Sequence, residues 1–589
     1  MTGLIAVLAI VKILIMIGFL LTMAAVATWA DRRQSSMVQD RVGPNRAVVF
    51  LPSIVVRALL IAPPGLFAAL AGRAAIVGVS PVAAPESALL GVEGAIFVGW
   101  FSTMVLCFVV RADRPWNALD SMVASWTPKS ILVTGLILHA LGFVAVASVP
   151  AASMMIAAKV ANGLLALVFA IVAIYSGAKV PEGKVGIRLA GVLHAIADTI
   201  KMIWKEDFIP PKGDKLLHSL APMLAVFPVL VTCAVIPFGR SLCFGDANRD
   251  GIFDFGDLTA IAPAMTSKFQ CPNGHSVHLQ IADLNVGVLY IFAMAGTGVI
   301  GAAIAGWASD NKWSLLGGLR AASQMVSYEV AMGLSLIGLL IVYGSIQLGP
   351  MVEWQSQHAW GIFVQPFGFV LFMTALVAET KRVPFDQPEG ESEIVAGYFV
   401  EYSGFKWGMF MTGEYVELTT SSVLLVVLFF GGYSLPFLQN DGIRVAFGDS
   451  VLFAYKMNHI AVVVISMLTF FGKVILMAWA QIFIRWTLPR FRYDQLMKLG
   501  WMRLLPMSLG NMLVTALIVL AVQGHADAEA GLSFLGDVTQ AVVAVAMLAA
   551  VLAFFFGLVE PVKRQKIILS TAQKFAAAAG GVRMGARQA

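Results

Sequence analysis

The chain begins with the apolar run GLIAVLAIVKILIMIGFLLTMAAVAT, residues 3–28, in which Lys12 is the only charged residue. A helix needs about 20 residues to cross a bilayer, so this run is long enough to span one. It is too long for the apolar part of a secretory signal peptide. The run therefore predicts a retained transmembrane helix.

The whole chain has the composition of an integral membrane protein. Of its 589 residues, 59% are hydrophobic and 13% are charged, which is too little polar surface for a soluble globule of this size. The net charge of +6 fits cytoplasmic loops enriched in Lys and Arg, and no basic stripe with interleaved aromatics suggests nucleic acid. Four cysteines without a CxxC pair give no iron–sulfur or zinc framework, so we expect any redox cofactor in another subunit.

Further apolar runs predict an all-α polytopic membrane protein with about thirteen transmembrane helices. With that number of spans, the loops rich in Lys and Arg all fall on one side, which the positive-inside rule assigns to the cytoplasm. The N-terminus is then outside and the C-terminus inside. The predicted spans are residues 3–28, 54–71, 92–110, 131–149, 155–177, 218–238, 285–308, 325–346, 361–379, 409–432, 458–484, 505–523 and 539–559.

An acid-rich segment, ETKRVPFDQPEGESEIVAGYFVEYSGFKW at residues 379–407, lies between two of these spans. A helix starting at Pro388 would place Glu389, Glu393, Gly397 and Glu401 on one stripe. Carboxylates held close together repel one another, and some can then exchange protons near neutral pH. The alternative is a solvated cytoplasmic loop, but further acids inside apolar spans, such as Glu329, favour a buried acidic path.

Six motifs, in order along the chain, resemble the H-type membrane subunit of proton-pumping NADH:quinone oxidoreductase, respiratory complex I. The resemblance covers roughly residues 1–47, 184–240 and 279–523. The motifs are QDRVGPNR, ADTIKMIWKEDFIPP, ADLNVGVLYI, AGWASDNKWSLLGGLRAASQMVSYEV, PFDQPEGESEIVAGYFVEYSGFKW and LPRFRYDQLMKLGW.

The resemblance implies a membrane subunit that forms much of the quinone chamber and couples quinone reduction to proton translocation. Quinone would be a substrate, and this chain would hold no redox centre. The implied location is the bacterial inner membrane. The implied partners are the peripheral-arm quinone-site and iron–sulfur subunits, the antiporter-like membrane-arm subunits and membrane lipid.

The resemblance also implies two groups of site residues. The acidic proton path would comprise Glu329, Glu379, Asp386, Glu389, Glu391, Glu393, Glu401 and Glu414. The quinone-site region would comprise Asp31, Arg32, Arg41, Asp198, Lys201, Lys205, Glu206, Asp207, Arg490 and Asp494. The family usually has Glu where Asp31 stands and Asn where Lys381 stands, so Lys381 adds a positive charge beside the acidic stretch.

The chain is longer than the region of resemblance, so we predict a family core of eight spans with additions. Residues 1–47 hold the first span and a quinone-site loop, and residues 48–183 are an insertion of about four spans. Residues 184–240 hold an amphipathic helix and a span, and residues 279–523 hold the bundle with the acidic path. Residues 524–589 add one span and a basic cytoplasmic tail.

The remaining segment, residues 241–278, is predicted to lie on the outer face and contains CFGDANRDGIFDFGD. This stretch fills each ligand position of a twelve-residue calcium loop of the EF-hand or dockerin type, with Gly251 at the glycine position. The flanking Cys243 and Cys271 are predicted to form a disulfide. The alternative is an Asp- and Gly-rich turn that binds nothing. The predicted calcium ligands are Asp246, Asn248, Asp250, Ile252 through its carbonyl, Asp254 and Asp257.

Two other functions remain open at this point. One is the homologous membrane subunit of an energy-converting hydrogenase or a ferredoxin- or F420-linked complex. The other is a stand-alone ion transporter, although the sequence shows no convincing inverted repeat of broken helices.

Overall fold

A computed structural model of the chain describes most of the region that carries the motifs. Apart from a few isolated positions, the described residues are 2–39, 49–52, 184–187, 192–245, 274–390, 397–439, 442–447, 450–456, 459–522 and 536–546. The predicted spans at 54–71, 92–110, 131–149 and 155–177 lie outside these ranges.

The described part of the chain is mostly helical. Short irregular helices at Cys233–Val235 and Leu499–Leu504 adjoin the longer ones. The helices are α1 (Thr2–Val38), α2 (Leu193–Trp204), α3 (Lys215–Thr232), α4 (Gly287–Ala308), α5 (Lys312–Tyr343), α6 (Leu348–Gln357), α7 (Gly361–Val364), α8 (Pro366–Glu379), α9 (Gly404–Phe429), α10 (His459–Thr487), α11 (Tyr493–Lys498), α12 (Leu505–Val522) and α13 (Gly536–Ala546).

Within the described ranges, seven helices are long and apolar enough to cross a membrane. They contain α1, α3, α4, α5, α9, α10 and α12, and each overlaps a span predicted from hydropathy. The predicted span 361–379 is divided instead, because Pro366 starts a new helix after the single turn of α7. The last predicted span begins in α13, and most of it lies outside the described residues.

Helix α9 lies at the centre of the bundle and packs against α1, α3 and α10. Its C-terminal half, Leu418–Phe429, is buried along its whole circumference, as expected for a helix enclosed by other helices. Around it, α3 packs on α4, and α5 packs on α4, α8 and α12. The N-terminal half of α9 carries Glu414 and Glu417, so this packing places two acids among the neighbouring helices.

Short antiparallel strands, which the sequence did not predict, close three of the loops. Strand β1 (Val49–Pro52) pairs with β2 (Lys184–Ile187), at the two ends of the segment 48–183. Strand β3 (Leu242–Gly245) pairs with β4 (Gly274–Val277), at the two ends of the segment 241–278. A third sheet joins β5 (Leu438–Gln439), β6 (Gly442–Phe447) and β7 (Ser450–Lys456).

Candidate functional site

Asp31, near the end of α1, joins three helices through its carboxylate. Its Oδ2 accepts hydrogen bonds from the Tyr415 hydroxyl at 2.9 Å and from Arg485 Nη1 at 2.7 Å. Its Oδ1 accepts one from Trp486 Nε1 at 2.6 Å. The residue is buried, and its ion pair with Arg485 compensates the charge. The predicted quinone-site acid is therefore fixed by α9 and α10.

Arg382 belongs to the acidic segment and contacts Tyr415 and Glu414. Its guanidinium lies 4.3 Å from the centre of the Tyr415 ring, and its Nε is 2.9 Å from Glu414 Oε1. Both Arg382 and Glu414 are buried. Removing one member of such a buried ion pair destabilises the protein strongly, because the other charge is left without compensation.

Asp386 and Glu389 lie beside this pair in the turn that follows α8. Asp386 Oδ2 accepts a hydrogen bond from Arg490 Nη2 at 2.6 Å, which ties the turn to the loop after α10. Glu389 is 3% exposed. Burial raises the pKa of Glu389 well above its ordinary value, and the nearby carboxylates of Glu414 and Asp386 raise it further. Glu389 is thus a carboxyl group that binds a proton readily.

Glu379, the last residue of α8, faces a cavity of about 60 Å³ enclosed by α3, α4, α5, α8 and α9. Glu379 is buried, and its Oε2 has no hydrogen-bond partner among the described residues. Lys381 and Glu417 line the same cavity, and Lys381 Nζ donates to Glu417 Oε2 at 3.2 Å. A water molecule needs about 10–15 Å³ of such volume, so the cavity has room for a few waters.

Glu329 lies on α5, on the side that faces α4. Gly296 leaves the space for its carboxylate, because a Cβ added at Gly296 would lie 2.9 Å from Glu329 Oε1. The negative charge of Glu329 also acts on Glu379. The two acids therefore belong to one electrostatic group.

Glu401 lies apart from the buried cluster, although the sequence placed it in the same path. Its Oε1 accepts a hydrogen bond from Asn311 Nδ2 at 2.7 Å. It lines an open cleft of about 640 Å³ together with residues such as Phe208 and Lys312. Glu401 is thus accessible from the surface, which by the predicted orientation is the cytoplasmic one.

The turn around Glu389 corrects the predicted helical stripe. The backbone N–H of Gly397 donates to the carbonyl of Glu389 at 2.8 Å. A continuous helix from Pro388 would separate these two residues by about 12 Å, so the prediction that Glu389, Gly397 and Glu401 share one helical face is wrong. Gly390 has φ of +52°, a left-handed conformation that ends helices.

The predicted quinone-site residues on α2 and after it form a more exposed rim. Arg32 makes an ion pair with Asp198, and Lys201 lies 3.8 Å from the same carboxylate. Asp207 pairs with Lys406 Nζ at 3.0 Å. Lys205 and Glu206 are exposed where α2 ends, and the Glu206 carbonyl accepts a hydrogen bond from Ser403.

Asp494 is separate from both groups. It is 56% exposed and lies 3.4 Å from Arg492 on the surface. Several predicted site residues fall outside the described part of the chain. These are Arg41, Glu391, Glu393, Cys271 and the six calcium ligands from Asp246 to Asp257.

The segment 241–278, which the sequence predicts to lie on the outer face, is described only at its ends. Cys243, in β3, is disulfide-bonded, while its predicted partner Cys271 lies outside the described residues. Within the described ranges, no group of three His, Cys, Asp or Glu side chains is arranged to hold a metal ion.

Sequence reasoning noted the positive charge of Lys381 but missed Arg382, the cation that pairs with Glu414. Arg382 stands next to Lys381 in ETKRVPFD, and its position inside the acidic stretch was a usable signal. Arg485 and Trp486 had no such signal, because they meet Asp31 across more than 450 positions of sequence.

The arrangement is a series of buried and partly buried charged groups. It runs from Asp31 and Arg485, through Tyr415 and Arg382, to Glu414. Beyond Glu414 lie the Lys381–Glu417 pair and Glu379 at the cavity, and Glu329 acts on Glu379. In a medium of low dielectric constant, a charge placed at one end would change the protonation of its neighbours.

Comparisons with known proteins agree with the motifs. A family described as NADH dehydrogenase matches residues 180–516. The chain is 38% identical over 362 residues to an H-type NADH-quinone oxidoreductase subunit of Cytophaga hutchinsonii, covering 60% of this chain and 94% of that protein. It is 42% identical over 340 residues to the H-type NADH-quinone oxidoreductase subunit of Bacillus cytotoxicus, covering 58% of this chain and 84% of that protein.

Proposed function

Since the chain belongs to the NADH dehydrogenase family, as the H-type membrane subunit of NADH-quinone oxidoreductase, we propose that it forms much of the quinone chamber and couples quinone reduction to proton translocation. The observation that carries this proposal is the series of interacting, buried and partly buried charges from Asp31 to Glu379. The names of the relatives favour this function over the hydrogenase-type subunit and the stand-alone transporter.

The proposed mechanism rests on electrostatic coupling within this series. Reduction of a quinone takes up protons and places negative charge transiently in a cavity of low dielectric constant, where nearby charges interact strongly. Asp31 would sense that charge, because it is ion-paired with Arg485 and bonded to Tyr415. Arg382 would then redistribute its attraction between Tyr415 and Glu414, and the buried carboxyl groups would take up or release protons.

Each residue group has a different part in this proposal. The rim formed by Arg32, Asp198 and Lys201 would border the entry of the quinone. Glu401 would exchange protons with the cytoplasm through its open cleft. The partners proposed are the peripheral-arm subunits on the cytoplasmic side and the antiporter-like subunits within the membrane. The location proposed is a bacterial inner membrane, with the N-terminus outside.

The experiment replaces Glu414 by Gln in the whole complex and measures three activities. NADH oxidation with an artificial acceptor reports electron entry and should stay unchanged. Quinone-linked turnover and proton pumping should each fall by about tenfold or more, which corresponds to about 1.4 kcal/mol or more. Asp283→Asn is the matched control, because Asp283 is an exposed acid remote from the cluster whose bond to Gln347 an amide oxygen can keep. Full coupled turnover in Glu414→Gln would refute the proposal.

We also propose that the outer segment binds Ca²⁺ through the loop Asp246–Asp257. The disulfide at Cys243 and the β3–β4 ladder support a closed loop base, which reduces the freedom of the intervening chain. Loops of this type bind Ca²⁺ at roughly 10⁻⁴ to 10⁻³ M in extracellular modules. Ca²⁺ in that range should protect the segment from proteolysis, with Asp250→Ala as the control; equal cleavage with and without Ca²⁺ would exclude the site.

A further inference from the structure

Lys381 is an unusual residue to find in the cluster, because a buried lysine needs a partner for its charge. Its side chain is 11% exposed, and that of its partner Glu417 is 17% exposed. The ammonium group lies 3.2 Å from Glu417 Oε2 and lines the cavity that Glu379 faces. Lys381 therefore brings a positive charge to the wall of that cavity.

The charges around Lys381 keep it protonated. Burial alone would lower the pKa of Lys381, but the carboxylates of Glu417 and Glu379 outweigh burial and raise it. Helices α3 and α4 contribute no ionisable group to the cavity, only small, apolar and threonine side chains. The ionisable groups that act on the pair and on Glu379 are Glu329 from α5, Arg382 and Glu389 from the turn, and Glu414 from α9.

We propose that Lys381 and Glu417 are a positioning pair, whose mutual neutralisation leaves Glu379 as the cavity carboxyl group that exchanges a proton. This inference rests on the proposed function, and it deepens it. With the pair intact, the cavity wall has no net charge, and the orphaned Oε2 of Glu379 is free to bond to water. Glu379 then changes its charge beside a pair of ions whose charges cancel.

Loss of either partner has a different consequence. Without Lys381, Glu417 is a second buried carboxyl group in the cavity, and it adds an uncompensated negative charge once the pH is high enough to remove its proton. Without Glu417, the ammonium of Lys381 is left to pair with Glu379, which then keeps its negative charge and stops exchanging. Loss of both restores a cavity wall with no net charge.

The backbone at Lys381 determines the choice of variant. Its φ is +55°, in the left-handed region that Asn tolerates better than most residues. Lys381→Asn therefore removes the charge without adding backbone strain. Glu417→Gln keeps the shape of the side chain, and Lys381→Arg keeps the positive charge.

The experiment compares the whole complex in four forms: unchanged, Lys381→Asn, Glu417→Gln and the double variant. Quinone-linked turnover is measured from about pH 6 to about pH 9 and normalised to NADH oxidation with an artificial acceptor. Lys381→Asn should stay within about twofold of the unchanged complex at the acid end and fall by about fivefold or more at the alkaline end. Glu417→Gln should lose about fivefold or more at every pH, and the double variant should recover to within about twofold.

A merely structural pair would give another pattern. If the double variant loses as much as the worse single variant, or if the Lys381→Asn profile runs parallel to the unchanged one, the positioning role is refuted. If the single variants fail to assemble, recovery of assembly in the double variant and in Lys381→Arg supports the pair, and failure of both overturns it. Glu414→Gln tests the proposed function separately, because that residue does not belong to the pair.

Discussion

Replacing Asp31 by Asn should loosen α1 from α9 and α10 far more than its small change in shape suggests. The variant removes the anion that compensates the buried Arg485. An Asn oxygen placed at Oδ2 can still accept from Tyr415 and Arg485, but its NH₂ group would then face Trp486 Nε1, which is also a donor. One ion pair is lost, and one acceptor is replaced by a donor.

The magnitude follows from the burial of the pair. Removing one member of a buried ion pair costs about 3–5 kcal/mol. Since about 1.4 kcal/mol is a factor of ten in an equilibrium constant, local opening should become about 10²- to 10⁴-fold more frequent. The neighbouring pair of Arg32 and Asp198 is more exposed, and breaking such a pair costs about 0–1 kcal/mol. Asp198→Asn is therefore a matched control, because its partner Arg32 lies at the same end of α1 as Asp31.

Hydrogen exchange of the purified complex, read by mass spectrometry, measures this difference. The peptides to follow are those covering the ends of α1 and α10, around Asp31 and Arg485. The reasoning would be refuted if Asp31→Asn left their protection within about twofold of the unchanged complex, or if both variants lost the same protection.

Two further predictions concern the acids. Gly296→Ala should push a methyl group against the Glu329 carboxylate and lower quinone-linked turnover by about threefold or more. Gly472→Ala, where an added Cβ meets nothing within 4 Å, is the control and should not lower it; equal turnover in both variants would contradict the packing. Burial and the carboxylates of Glu414 and Asp386 raise the pKa of Glu389. The folded protein therefore keeps a proton on Glu389 that the unfolded chain releases above about pH 4.3. The free energy of unfolding falls as the pH rises from that value toward the pKa of the folded state. Glu389→Gln should remove this loss of stability. The thermal midpoint of the variant minus that of the unchanged protein should therefore rise with pH, and a difference that stays constant with pH would exclude the effect.

Hydropathy was sufficient to locate the membrane helices in the described part of the chain, because the length of an apolar run is a local property. It failed at residues 361–379, where Pro366 restarts the helix. The acids of the cluster were also visible, since ionisable groups inside apolar runs are rare.

The pairing of those acids could not be predicted from the sequence. Asp31 meets Arg485 and Trp486 only because α1 packs on α10, which is a property of the whole bundle. The row of glutamates after Pro388 has helical spacing, yet the left-handed Gly390 turns the chain back instead. The helical spacing also assigned Glu401 to the buried path, but Glu401 lies in an open cleft.

The β1–β2 ladder has a consequence for how this chain can change in length. Pro52 and Lys184 are register partners, so the ladder holds together the two ends of a segment of 131 residues. Each doubling of the length of a flexible loop adds only about 0.6 kcal/mol to the free energy of loop closure. A flexible loop of this length would therefore cost only about 4 kcal/mol more to close than a two-residue turn. Residues added or removed between Pro52 and Lys184 should therefore leave the pairing of the ladder intact.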